Sequence, residues 1–278
     1  QGSPGARLLD ALNRFALRKA DAVVVLDRFM QQRVRSKGVA PSRIHVIPPW
    51  PHQDAVCYDP EGRAAFRRKL GVDDQFVVMY SGNHSPCHPL DTLLQAARRL
   101  ARRNDIVFLF AGGGSEQARV REFARAAGLR NILCEPYQPL ANLSASLSAA
   151  DLHVVVMGES FAGIVHPSKI YNILALGIPF LYIGPGPSHV TDLAARQGAG
   201  DWAARARHGE VARVVRLIAE AAARGRGRRR PVAQAAALEF SQERLLARLA
   251  GVIEKETCEA PEEAAAMGPG MSQLRRSA

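Results

Sequence analysis

The chain has 278 residues, 47% of them hydrophobic, enough for one large soluble domain or one domain with part of another. No apolar run reaches the ~20 residues of a membrane-spanning helix, and the polar, charged opening has no signal-peptide pattern. A formal net charge of +11 asks for an anionic partner: a nucleotide diphosphate, nucleic acid or an acidic membrane surface.

Much of the positive charge sits in two places, at Arg7, Arg14, Arg18, Lys19, Arg28, Arg33, Arg35 and Lys37, and at Arg224, Arg226, Arg228, Arg229 and Arg230. A solvated surface is the simplest account of both. The second run has no interleaved aromatics to stack on bases, so no nucleic-acid partner is expected. Cys57, Cys87, Cys134 and Cys258 are scattered without a Cys-x-x-Cys pair and read as reduced thiols in a cytosolic setting. His84, Cys87 and His88 are ligand-type residues with no second cluster downstream, so no metal is expected. The first residue is Gln, which suggests a start cut from within a longer protein.

In chain order, the patterning predicts a basic amphipathic helix over 8–19, a strand over 22–26, a helix around 29–37 and a strand over 44–47. Pro48-Pro49-Trp50-Pro51 then reads as a stiff inter-domain linker. Residues 1–50 are too few to close a doubly wound sheet and read as the end of a preceding domain. From residue 76 short apolar runs alternate with amphipathic stretches: strands at 76–81, 106–111, 131–134, 152–157 and 179–183, helices at 89–103, 116–127, 140–149 and 168–176, and one beginning near 189. Continuous apolar runs mean strands covered on both faces, so the predicted class is α/β with a doubly wound parallel, Rossmann-like sheet over 51–257. A last helix begins after Ser241, and 258–278, rich in Ala, Glu, Gly and Pro, reads as a disordered tail.

Ligands of such sheets bind beyond the carboxyl ends of the strands, which singles out four segments. Ser81-Gly82-Asn83-His84 lies at the end of the first strand of this series, where glycine admits close backbone approach. Gly112-Gly113-Gly114 is either a phosphate-binding loop or a turn with a close-approach glycine. Residues 158–172 (GESFAGIVHPSKIYN) place Pro167 in a first helical turn, followed by Ser168 and Lys169. Unpaired amides, a hydroxyl and an ammonium there would make a diphosphate cradle. Residues 184–189 (GPGPSH) form either a ligand-facing turn or a structural loop.

Taken together, ADAVVVLDRFMQQRV…IHVIPPW, VVMYSGN…HPLDTLLQAARRL, FLFAGGGSEQ, LSAADLHVV, PSKIYNILALGIPFLYI and FSQERLLARLAGVIE resemble, in order and spacing, the family 4 (group 1) glycosyltransferases of the GT-B fold. The likeness covers nearly all of 20–255. It implies a C-terminal donor-binding domain preceded by the end of the acceptor domain, the rest of which is absent. It also implies transfer of a sugar from a nucleotide diphosphate donor, usually with retention, to a glycan or lipid-linked acceptor at the cytoplasmic face of a membrane, with peripheral contact to anionic lipid, no cofactor and no metal. The expected catalytic residues are Lys169 and His88. The expected donor contacts are Gly82, Asn83, His84, Gly113, Gly114, Tyr137, Gly163, Ile164, Pro167, Ser168 and Asn172. The family's Arg and Lys after the first strand fall on Asn83 and His88, leaving Lys169 and backbone amides to stabilise the diphosphate, with a charged His88 assisting. Of the family's paired glutamates, the second corresponds to Asn172, and Gly163 and Ile164 lie nearest the first. The base would be read by the backbone around Cys134–Gln138. Two other readings remain: a non-catalytic nucleotide-sugar-binding module, and a sugar-nucleotide epimerase, for which Glu159 is the one tempting carboxylate.

Overall fold

The computed structural model describes residues 3–50, 56–196, 202–230 and 239–258. Pro51 of the expected linker and residues 259–278 of the expected tail lie outside the described residues.

The first unit is small. Helix α1 (Pro4–Lys19) leads to strand β1 (Val23–Val25), helix α2 (Arg28–Ser36) and strand β2 (Ile44–Val46), which pairs parallel to β1. Its core is Val23, Val25, Val39 and Ile44, with Leu17, Met30 and Val34 packed on it. Helix α1 buries none of its residues and exposes Leu8, Leu9, Leu12 and Phe15.

The second unit carries a six-stranded sheet, all parallel, built from β3 (Phe76–Asn83), β4 (Ile106–Gly113), β5 (Ile132–Glu135), β6 (Leu152–Val156), β7 (Phe180–Ile183) and β8 (Ala203–Ala206). Their order across the sheet is β5-β4-β3-β6-β7-β8, so the winding reverses between β3 and β6. Alternate side chains of each strand enter different cores. Phe76, Val78 and Tyr80 pack with Leu93 and Leu94 of helix α4 (Asp91–Arg99), Val120 of α5 (Gln117–Ala126), and Val214 and Ile218 of α9 (Val211–Ala223). Val77 and Met79 pack with Phe66 of α3 (Pro60–Leu70), Leu147 of α6 (Leu143–Ser148) and Leu176 of α7 (Lys169–Leu176). Both faces are therefore apolar, which is why the strands read as unbroken hydrophobic runs. Helix α8 (His189–Arg196) follows β7, and α10 (Gln242–Cys258) returns to the first unit, where Arg248 donates to the Val46 carbonyl at 2.8 Å.

Helix α3, strand β8 and helix α9 lie where the patterning above assigns nothing. Strand β8 is an Ala-Ala-Arg-Ala edge with no apolar run, and α3 is basic with only Phe66 and Leu70 as large apolar anchors. The arginine run after α9 is a strap on the domain. Arg226 donates to the Asp73 carbonyl, Arg229 covers the Tyr58 ring at 3.6 Å, and the Gly227 amide donates to Asp151. Among the described residues no helix is long and apolar enough to cross a membrane.

Candidate functional site

At the reversal point the carboxyl ends of β3 and β6 part, and the segments after them come together with the start of α7. The β3–β4 ladder runs on through its glycines, Gly82 facing Gly112 and Asn83 facing Gly113. A side chain at Gly112 would stand 2.1 Å from the Gly82 carbonyl oxygen, and one at Gly114 would stand 2.3 Å from that of His84. The two loops are thus zipped together by close backbone approach. Tyr137 lies exposed across Gly113 and donates to its carbonyl at 3.4 Å.

Lys169, the first residue of α7, turns its ammonium inward. The Nζ atom is buried, has no hydrogen-bond partner and stands 3.7 Å from the centroid of the Tyr80 ring. Burial pushes its pKa down to about 7. The ionisable side chains that sense it are three imidazoles. His84 is lowered by burial and by Lys169, while burial and Lys169 together hold His88 and His153 down to about 4. His84 Nδ1 donates to the Gly82 carbonyl at 3.0 Å, His88 Nδ1 to that of Val156 at 2.8 Å, and His153 Nε2 to that of Leu147 at 3.1 Å. The carbonyl partners set which nitrogen carries the proton, while burial first and the Lys169 ammonium second favour the neutral rings. The expected charge on His88 belongs to the donor-bound state, where a diphosphate would draw its pKa upward again.

The other expected donor contacts are spread around this point. Ser168 is exposed with no capping bond, Asn172 on the next turn is half-buried, Pro167 is buried and Asn83 is exposed. Gly163, at φ 72°, lies against the backbone of Phe29 in the first unit, and Ile164 beside it is exposed. Segment 158–168 is thus pinned to the first unit at its middle and delivers Lys169 at its end. Glu159 is exposed on a 3-10 turn.

A second polar cluster joins the units. Asp27 caps α2 through Oδ1, accepting from the Phe29 and Met30 amides at 2.9 and 2.8 Å. Its Oδ2 accepts from His166 Nδ1 at 2.8 Å, and His166 Nε2 accepts from the Tyr171 hydroxyl at 2.9 Å. Burial is the largest single influence and works against the Asp27 charge, but the His166 bond, the Met30 amide and the neighbouring imidazoles together keep the carboxyl below its usual range. His189 stacks on His166 with ring centroids 3.8 Å apart and 20° between planes, and burial pushes it down to about 3. Asp27, His166 and His189 each present a ligand-type atom within 4.8 Å of the others. The near-parallel rings aim their nitrogens side by side instead of at one point, and His166 is already committed to Asp27. This is a hydrogen-bonded bridge between units. It borders a cavity of about 230 Å³ also lined by Arg28 and Arg248. Arg28 adds a bidentate pair to Asp192 at 2.5 and 2.9 Å.

Neither Tyr80 nor this bridge was singled out from the sequence. A tyrosine in an apolar strand gives one signal, a hydroxyl needing a partner. Asp27 and His166 are 139 residues apart and give none.

Residues 1–50 match the family model of the glycosyl transferase 4-like domain, and residues 62–188 match that of the glycosyl transferases group 1. The putative colanic acid biosynthesis glycosyl transferase WcaI of Escherichia coli (strain K12) is 34% identical over 182 residues, 64% of this chain and 44% of that protein. The probable glycosyltransferase WbjE of Pseudomonas aeruginosa is 25% identical over 194 residues, 70% and 48% of the two chains. The chain spans about half the length of these relatives. Among solved structures, Anabaena Alr3699/HepE in complex with UDP and glucose superposes with a TM-score of 0.74 at 18% identity, covering 91% of this chain and 67% of that one. WaaG, a glycosyltransferase involved in lipopolysaccharide biosynthesis, gives 0.64 at 17% identity, covering 86% and 62%. These likenesses establish the GT-B arrangement of the sheet.

Proposed function

We propose that this chain, which belongs to the group 1 glycosyltransferases, binds the diphosphate of a nucleotide-sugar donor at the Lys169 ammonium and serves as the donor side of a retaining transfer to a glycan or lipid-linked acceptor. The observation that carries this reading is the buried, unpartnered ammonium at the point where the sheet reverses. A buried charge without a counter-ion is costly unless a ligand completes it. When the bond from the anomeric carbon to the diphosphate breaks, negative charge grows on the departing oxygen, and a fixed cation there lowers the barrier. Ser168 and the first amides of α7 would share the phosphate oxygens, and Asn172 the ribose. The glycine loop, Asn83, His84 and Tyr137 would line the nucleoside. The complex of Alr3699/HepE with UDP supports a nucleotide donor of this class. No metal or other cofactor enters this proposal, since the cation it needs is supplied by the chain itself. The basic, apolar-faced α1 supports placing the acceptor reaction at an anionic membrane surface on its cytoplasmic side.

A thermal-shift screen against UDP, GDP, ADP and their sugar conjugates tests the binding half. Stabilisation by one nucleotide series is expected, and no shift with any would count against the reading. A second reading, a binding module without transfer, is favoured by Asn83 and His88, where the family resemblance places two cations, and by Gly163 and Ile164, which lie nearest to its first carboxylate. Slow release of free sugar from the bound donor would exclude that module; tight binding with no release would favour it.

A further inference from the structure

We propose that Tyr80 is a positioning residue: its ring face holds the Lys169 ammonium in the empty site and sets the direction from which a diphosphate reaches it. This rests on the reading that Lys169 is the diphosphate anchor. The ammonium stands 3.7 Å from the ring centroid and has no hydrogen-bond acceptor, so the π face is the negative surface it meets. The ring itself is fixed at both ends. Its hydroxyl donates to the Asn83 carbonyl at 2.7 Å, and the His84 ring meets it edge-on with centroids 5.0 Å apart. A neighbour with a lone pair, such as a carboxylate or carbonyl, would compete with the incoming phosphate for the ammonium protons. A π face stabilises the charge and leaves all three N–H donors for the ligand. Gly82 keeps the adjoining space open, since a side chain there would come within 3.3 Å of Nζ.

The groups facing the ammonium are Tyr80 from β3, His84 and His88 from the loop after it, and His153 from β6. The three imidazoles are neutral near pH 7, and burial holds the Tyr80 hydroxyl protonated far above it. Loss of the ring face therefore acts on the Lys169 proton directly.

The chain has five lysines, Lys19, Lys37, Lys69, Lys169 and Lys255, so the Lys169 side-chain carbon resonance can be identified as the one absent in Lys169→Met. Its titration is followed in the wild type, Tyr80→Phe and Tyr80→Leu, with a melting curve for each. Tyr80→Phe keeps the face and should keep the midpoint. Tyr80→Leu should move it downward and weaken binding of UDP, GDP or ADP, whichever the chain binds, by about tenfold at pH 7. An unchanged midpoint in a folded Tyr80→Leu, or nucleotide binding undiminished by that substitution, overturns the proposal. Undiminished nucleotide binding by Lys169→Met alone would instead sink the assignment of Lys169 as anchor, and the titration would still decide whether Tyr80 holds its ammonium.

Discussion

Asp151, at the amino end of β6, accepts from Arg63 at 2.5 Å, Arg67 at 3.0 Å, and the Val77 and Gly227 amides at 2.8 Å each. Lys169, at the opposite edge of the same sheet, has its ammonium buried with no acceptor at all. Both charges are removed from water, and only one is compensated. Asp151 ties α3, β3 and the arginine strap to the loop before β6, so its neighbours exist to satisfy it. Lys169 is surrounded by a tyrosine face and neutral imidazoles, which fits the proposed arrival of its counter-charge with a ligand. In a parallel sheet the carboxyl edge is where ligands bind, and the contrast matches the proposed division of stability at one edge and binding at the other.

If that contrast is right, the two sites should respond to mutation in opposite ways. Removing the Asp151 carboxylate strands two arginines and two amides, and Asp151→Ala should lose about 3–5 kcal/mol in urea unfolding. Its nucleotide affinity, measured where the variant is folded, should stay near wild type. Lys169→Met removes an uncompensated charge and should gain about 1–4 kcal/mol of stability while losing nucleotide binding. A destabilised Lys169→Met would mean the ammonium has a partner after all.

The pH dependence follows with a definite sign. The Lys169 pKa is about 7 in the folded chain and near 10.4 when unfolded. Between those values the unfolded chain holds the extra proton, so stability should rise with pH above about 7, and Lys169→Met should remove that rise. Nucleotide affinity should run the other way, falling as pH climbs through about 7, because the bound anion needs the protonated amine. His88→Gln should leave this profile in place, since His88 is already neutral there; a profile that vanished in that variant would return the proton to the histidine. The smallest expected effect is at the seam between units. The Arg28–Asp192 pair is solvent-exposed on its arginine side, and Arg28→Ala should leave the thermal unfolding midpoint close to that of the wild type.

The fold was legible because burial on both faces leaves unmixed runs such as IVFLFA and LHVVV, and their order determines a doubly wound sheet. Strand β8 was illegible for the converse reason: an edge strand of alanine and arginine has no such run. The start of α7 was legible because Pro167 and Ser168 precede Lys169 in the segment after β6, a local signal of a helix start. The rest of what surrounds Lys169 is non-local. Tyr80 reaches it from another strand, and the Asp27–His166–Tyr171 bridge links two units across 139 residues. The surroundings of His88 were illegible for the same reason: sequence supplies a histidine near an expected diphosphate, but neither its burial nor the ammonium beside it.

The most direct test of Lys169 as the diphosphate anchor is calorimetric titration of the chain with UDP, GDP and ADP at pH 8, in two buffers of different ionisation enthalpy. At least one nucleotide should bind with net uptake of a proton, and both the binding and the uptake should disappear in Lys169→Met. Binding without proton uptake, unchanged in Lys169→Met, would contradict the account.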